Sequence, residues 1–236
     1  MAQTVFEKIV DEAAGIDLIS EMSFQGLGEP TLDPGIVDRI RYAKSKRQGW
    51  LTTMFTNGHT LTPQLAKHLD DAGLNTLYVS LNASNAAGRH AVMRLNDYGK
   101  VVEAIKDSMA VVRNMKIIPK GVIAMDIFAG NEVEAFRSEW GSNGFLHHEG
   151  NWAGATFKVR REKTLACQRA LGQIMVLWDG RVSLCCFDGE GDVIFGDLTK
   201  QTLRDVYVNP EWVRYRELHS LGKREGLKLC STCTDI

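Results

Sequence analysis

The sequence predicts an α/β protein: a partial, open parallel βα barrel over residues 1–150 and a small cysteine-bearing module over residues 151–236. Three observations predict it. Up to Gly150, short apolar runs of strand length alternate with helical patterns. That order gives right-handed βα units and a parallel sheet. The runs read as apolar on both faces, as a covered parallel sheet requires. After Gly150 the alternation stops, and all five cysteines fall after Ala166.

Residues 5–14 read as a helix, with Phe6, Ile9, Val10 and Ala13 apolar. Residues 19–24 form a short strand running into GLGEP. Asp33 as N-cap and Pro34 in the first turn open a helix with Ile36, Val37, Ile40 and Ala43 inward. Residues 51–55 form the next strand and end in TNG. Thr62-Pro63 starts a helix that buries Leu65, Ala66, Leu69 and Ala72 and stops at Gly73. Residues 77–81 form a strand ending in SLNAS, and Val101, Ile105, Met109 and Val112 mark a long helix. Residues 116–125 form a fourth strand whose early part Pro119 argues against. Residues 132–140 are helical, and 145–148 suit a fifth strand. In the second module, GQIMVLWDGRVSLCC reads as a hairpin turning at Asp179-Gly180. Asn209-Pro210 starts a helix to about His219, and the chain closes on KLCSTCTDI.

Charge excludes some functions. The 28 basic residues balance 29 acidic ones, which is not the footprint of a protein that binds nucleic acid through its phosphates. The basic run 158–163, KVRREK, reads as a solvated strand or loop. No run reaches the length of a membrane span, and the N-terminus has no signal-peptide core. A chain of this size buries roughly 70% of its unfolded surface and needs no staples to fold. An odd number of cysteines without a secretion signal argues against a disulfide framework. The expectation is a cytoplasmic protein whose thiols bind metal or do chemistry.

In parallel α/β folds the C-terminal strand ends share one face, where ligands bind. GLGEP, TNG and SLN follow three consecutive strands and are expected to converge there. The glycines of GLGEP let a ligand approach the backbone, and Glu29 suits a ligand bearing an ammonium group. The bland reading is a strand-end turn before a helix. Pro30 and the missing third glycine exclude a dinucleotide fingerprint. Cys167, twelve residues, Gly180, four residues and Cys185, with Cys230 and Cys233 as a terminal CxxC, form a four-thiolate set. Such a set holds either an iron–sulfur cluster or tetrahedral zinc, although zinc usually takes two close-spaced pairs. Neighbours on a strand face opposite ways, so Cys186 is expected to point away from Cys185. It reads either as a small buried hydrophobe or as a thiol beside the metal site. His147 and His148 sit near a strand end, and their pattern points to no chemistry.

Together these motifs resemble the radical S-adenosylmethionine (SAM) enzymes with a C-terminal SPASM or twitch extension. The resemblance covers nearly the whole chain. GLGEP resembles that family's GGEP-type motif, while TNG and SLN match its motifs on the next two strands. The spacing of Cys167, Gly180 and Cys185, closed by the CxxC, matches the extension's signature. The resemblance implies that Gly26, Gly28 and Glu29 hold the amino end of SAM. It implies that Ser80 and Asn82 hold the ribose side, with Pro30, Thr56 and Asn57 among the cofactor contacts. It also implies that Cys167, Cys185, Cys230 and Cys233 hold an auxiliary [4Fe–4S] cluster; Cys186, read as a thiol beside the metal site and facing the substrate cavity, is a catalytic candidate. The implied activity is hydrogen abstraction by a 5′-deoxyadenosyl radical, for substrate oxidation or peptide modification. The implied partners are a small-molecule or peptide substrate and a reductant protein such as a flavodoxin or ferredoxin. The family's CxxxCxxC for the catalytic cluster is absent, since the first cysteine is Cys167. The expectation is an N-terminally shortened enzyme. The alternative is a non-catalytic metal-binding scaffold or partner-binding protein derived from the family.

Overall fold

The computed structural model describes residues 1–123, 131–148 and 166–233. The expected strand beyond Ile123 and the basic run 158–163 lie outside the described residues. The chain divides into two compact units, Asp17–Glu149 and Met1–Ile16 with Gly150–Ile236. From the sequence, the N-terminal helix counts with the βα array. Its contacts group it instead with the cysteine-bearing module.

The first unit is a five-stranded parallel sheet. Strands β1 (Glu21–Phe24), β2 (Leu51–Thr56), β3 (Thr76–Ser80), β4 (Lys116–Ile123) and β5 (Phe145–His148) lie side by side in chain order. The intervening helices are α2 (Ile36–Lys46), α3 (Pro63–Asp71), α4 (Ala86–Met93), α5 (Tyr98–Val111) and α6 (Asn131–Trp140). The helix expected from Asp33 begins three residues later. Asp33 acts from outside it, accepting from the Gly35 amide at 2.9 Å and pairing with Arg39 at 3.2 Å. Helix α4 has no counterpart in the sequence expectation. Its apolar pattern is weak, and its largest buried side chain is the charged Arg89.

One sheet face packs Met54, Leu77, Val79 and Ile117 against Ile40, Leu69, Ile105 and Phe136 of the helices. Each such fully buried side chain contributes about 1.5–3 kcal/mol. Alternation along the strands puts Thr53, Phe55, Tyr78, Ser80 and Lys120 on the other face. This corrects the expectation of strands apolar on both sides. Helices that all follow their strands with one hand cover one face, and the second face is the barrel interior. There Phe55 stacks on Tyr78 at 4.6 Å, with the Lys120 ammonium 4.8 Å from the Phe55 ring centre. Pro119 sits within β4 at little cost, because β5 pairs with β4 only from Lys120 onward.

The second unit joins helix α1 (Gln3–Ala14) to α7 (Gln168–Gly172), a sheet of β6 (Met175–Val176), β7 (Arg181–Ser183) and β8 (Ile194–Asp197), and helices α8 (Leu203–Tyr207) and α9 (Pro210–Ser220). The hairpin turns where expected, with Gly180 at φ +93°, a conformation costly for any side chain. Strand β8 extends that hairpin. Its Phe195 stacks on Trp212 of α9 at 5.2 Å and meets Tyr215 edge-on at 5.3 Å. Asn209 caps α9 as the sequence predicts. Helix α1 is tied in by Lys8, whose ammonium donates to the carbonyls of Leu198 and Gln201 at 2.7 and 2.6 Å. Glu12 of α1 accepts from the Leu203 amide at 2.6 Å. Among the described residues no helix is long and apolar enough to cross a membrane.

Candidate functional site

In the sheet unit, GLGEP, TNG and SLN lie at the C-terminal ends of β1, β2 and β3 and are joined in a row. Glu29 makes the first joint. Its Oε1 accepts from the Thr31 amide at 3.1 Å, the Thr31 hydroxyl at 2.6 Å and the Thr56 hydroxyl at 2.7 Å, and its Oε2 accepts from the Asn57 amide at 2.7 Å. The carboxylate expected to face a ligand's ammonium group is therefore mostly occupied in clamping GLGEP to TNG. Lone-pair capacity is left on Oε2. The stretch from Gly26 to Gly28 is exposed, and a Cβ placed on Gly28 would meet nothing within 4 Å. Among the described residues neither backbone nor neighbours demand glycine at 28. Gly58 of TNG differs. It has φ +79°, and an added Cβ would fall 2.7 Å from Val101 and 2.8 Å from Val79.

The second joint is Arg89, a fully buried side chain of α4. It donates through Nη2 to the Asn57 carbonyl at 2.8 Å and through Nη1 to the carbonyls of Ser80 and Leu81 at 3.1 and 3.2 Å. Its Nε meets Asp97 at 2.6 Å, and the other oxygen of Asp97 meets His59 Nδ1 at 2.7 Å. The Arg89 and His59 contacts outweigh burial and hold the Asp97 carboxyl below its usual range. Asn82 makes the third joint. It adopts a left-handed conformation with φ 56°, and its amide donates to the Lys120 carbonyl of β4 at 2.8 Å. Its side chain donates to the Met93 sulfur at 3.3 Å. Ser80 and Asn57 are half-buried beside it. Arg89, Asp97 and His59 escape sequence reasoning, because an arginine in GRH carries no sign of burial.

In the second unit, Cys167, Cys185, Cys230 and Cys233 line one cavity of about 20 Å³. Cys167 caps α7, Cys185 follows β7, and Cys230 and Cys233 come from the terminal turns. The rest of the wall is apolar, from Leu184, Phe187 and Leu229, apart from Arg169, His219 and Arg224. Burial pushes the Cys185 and Cys230 thiols up to about 12, and the neighbouring cysteines add to the shift. His219 Nε2 lies 3.3 Å from the Cys230 sulfur. Asp188, 2% exposed, accepts from the amides of Leu184, Asp192 and Val193 and so holds the loop after β7.

Strand alternation does not describe the cysteine pair, because β7 ends at Ser183 and both cysteines lie in the bend beyond it. Cys186 is not among the cavity-lining residues, and its sulfur lies 3.6 Å from Arg169 Nη1. His147 stacks on Phe145 at 6.0 Å.

The donor chemistry suits an iron–sulfur cluster. Four sulfurs surround one apolar space, with the buried guanidinium of Arg224 at its wall to balance a negative group. A single tetrahedral zinc, bonded at ~2.3 Å, would draw its sulfurs to about 3.8 Å of one another.

A parallel βα sheet with a ligand-ready row at its strand ends, followed by a four-cysteine module, defines an α/β protein built for a cofactor and an iron–sulfur group. Residues 3–133 match the radical SAM superfamily, and residues 167–234 match SPASM, an iron–sulfur cluster-binding domain. The chain belongs to the radical SAM superfamily, whose cofactors are S-adenosylmethionine and [4Fe–4S] clusters. A cofactor-modifying protein for tungsten-containing aldehyde ferredoxin oxidoreductase, from Pyrococcus furiosus, is 33% identical over 82 residues. That match spans 35% of this chain and 22% of the relative. Among solved structures, BtrN in complex with AdoMet and 2-DOIA superposes with a TM-score of 0.69 at 16% identity, over all of this chain and 81% of that one. Streptococcus suis SuiB bound to S-adenosylmethionine gives 0.67 at 15% identity, over 98% of this chain and 64% of that one. Native anSMEcpe with bound AdoMet and Kp18Cys peptide gives 0.65 at 15%, over 95% of this chain and 80% of that one. At such identities the likeness concerns the fold.

Proposed function

We propose that this chain supplies the SAM-binding strand ends and the auxiliary-cluster module of an enzyme that abstracts hydrogen from a small-molecule or peptide substrate. The observation that carries the reading is the gathering of Cys167, Cys185, Cys230 and Cys233, far apart in sequence, around one cavity. The four cysteines hold the auxiliary [4Fe–4S] cluster. The exposed backbone at Gly26 and Gly28, with the free lone pair of Glu29 Oε2, takes the amino end of SAM. Pro30, Thr56 and Asn57 border that pocket, and Ser80 and Asn82 take the ribose side. Arg89 and Glu29 act indirectly, by holding the loops that carry these groups. SAM is the family's source of a hydrogen-abstracting radical when a catalytic cluster accompanies it, with electrons from a flavodoxin- or ferredoxin-type reductant. The chain's thiols suit a reducing cytoplasm.

The relatives' names mention cofactor modification, a complex with 2-DOIA and a bound peptide, and both small-molecule and peptide substrates are carried forward. The test is anaerobic reconstitution with metal and ligand analysis. Expected are about four irons with matching sulfide per chain, no zinc, and saturable SAM binding weakened by Asn82→Ala. One zinc and no sulfide would overturn the cluster assignment. Cluster uptake without SAM binding would favour the non-catalytic scaffold. No CxxxCxxC occurs in the 236 residues, so these residues alone are expected to yield no 5′-deoxyadenosine.

A further inference from the structure

We infer that Arg224 is the residue that sets the reduction potential of the cluster held by the four cysteines, through its guanidinium at the cavity wall. This rests on the cluster reading above.

Arg224 is 1% exposed. Its Nε and Nη2 have no hydrogen-bond partner among the described residues. It lines the cavity that Cys167, Cys185, Cys230 and Cys233 share. A buried guanidinium without a counter-charge costs several kcal/mol, so folds rarely leave one uncompensated. Among the described residues no carboxylate lines that cavity. The negative partner that this position calls for is the group the thiols bind. Four thiolates around an oxidised [4Fe–4S] core carry a net double negative charge, and reduction adds a third.

The other two nitrogen-bearing side chains at the wall, Arg169 and His219, already have partners beside the cavity. Arg169 stacks on Phe187 at 4.6 Å and reaches the Cys186 sulfur. His219 meets the Cys230 sulfur. Arg224 is the wall residue with two buried donors left for the bound group. Guanidinium donors are planar and permanently charged, which suits paired hydrogen bonds to sulfur. Positive charge and hydrogen bonds at the sulfurs favour the more negative, reduced state, so Arg224 raises the potential. A raised potential makes the cluster a better electron acceptor, the task that oxidation of a substrate radical would give it.

The test compares reconstituted wild type with Arg224→Gln and Arg224→Lys by EPR-monitored redox titration, with iron counted in each. Arg224→Gln is expected to keep its iron and to lower the midpoint by at least 59 mV, a tenfold change in the one-electron equilibrium. Arg224→Lys keeps the charge and loses the fork, so a smaller fall is expected. A loaded Arg224→Gln with the wild-type midpoint would overturn the inference.

A second measurement does not depend on the variants holding iron. Wild type labelled with 15N-guanidino arginine is expected to show nitrogen coupling to the reduced cluster in pulsed EPR. The coupling should persist in Arg169→Lys, and its absence from wild type overturns the inference. Uptake of zinc alone by wild type would remove the cluster reading itself, an outcome distinct from an unmoved potential.

Discussion

At the strand ends of the sheet unit, the buried charges find their partners within the unit. Arg89 spends all three guanidinium nitrogens on Asp97 and three backbone carbonyls, and Glu29 accepts four hydrogen bonds. At the cysteine cavity the accounts do not close. Two thiols there are pushed up to about 12, and a buried arginine keeps two donors without acceptors among the described residues. The first region is organised before any ligand arrives, and a ligand adds to a finished scaffold. The second is chemically complete only with a negatively charged group inside it. Its stability should therefore depend on loading, and that of the strand-end row should not.

The largest expected effect follows from that dependence. Cys230→Ala removes a buried proposed ligand from the cavity wall. Iron per chain is expected to fall from about four towards zero, and the gain in thermal stability on reconstitution should vanish with it. Arg89→Met is the counterpart in the sheet unit. It leaves Asp97 buried with only His59 and unties three carbonyls, so it should cost about 3–5 kcal/mol in urea unfolding. Iron content should stay unchanged. A cost below about 1 kcal/mol, or a parallel loss of iron, would break the distinction between the two regions.

A smaller effect is expected with pH. Folding raises the Cys185 and Cys230 thiols to about 12, against roughly 8.5 in an unfolded chain. Between those values the unfolded state has shed protons that the folded state retains, so rising pH favours unfolding. Metal-free protein should lose stability from about pH 8.5 upward. Loaded protein should not, because metal binding has already displaced those protons. Urea midpoints at two alkaline pH values, with and without reconstitution, check the sign. A metal-free midpoint that rises with pH would sink the expectation.

Much of this was legible in the sequence. Period and punctuation located all five parallel strands, the DG turn and the cap of α9, because each depends on local chemistry. The convergence of GLGEP, TNG and SLN followed from topology alone. The joints of the row were not legible. Arg89 lies in a helix without a clear apolar face, and its burial is decided by carbonyls from two strand ends that no local pattern reports. Arg224 sits in an irregular stretch, where burial depends on the packing of α9 and the terminal turns. The N-terminal helix is legible as a helix, but its contacts with the cysteine-bearing module are not. Its partners, Leu198, Gln201 and Leu203, are nearly two hundred residues away.

The smallest expected effect tests the comparison most finely, because it concerns two adjacent residues. Cys185 lines the cavity and Cys186 does not. The reason is the bend after Ser183, which carries Cys186 towards Arg169, rather than strand alternation. Cys186→Ser keeps a small polar atom beside that guanidinium and removes no proposed ligand. Its stability should stay within about 0.5 kcal/mol of wild type, with full iron content. Cys185→Ser, one position earlier, should lose most of its iron. Equal loss in both variants would mean that the bend turns the other thiol inward once the cavity is loaded. The assignment of ligands would then pass from Cys185 to the pair.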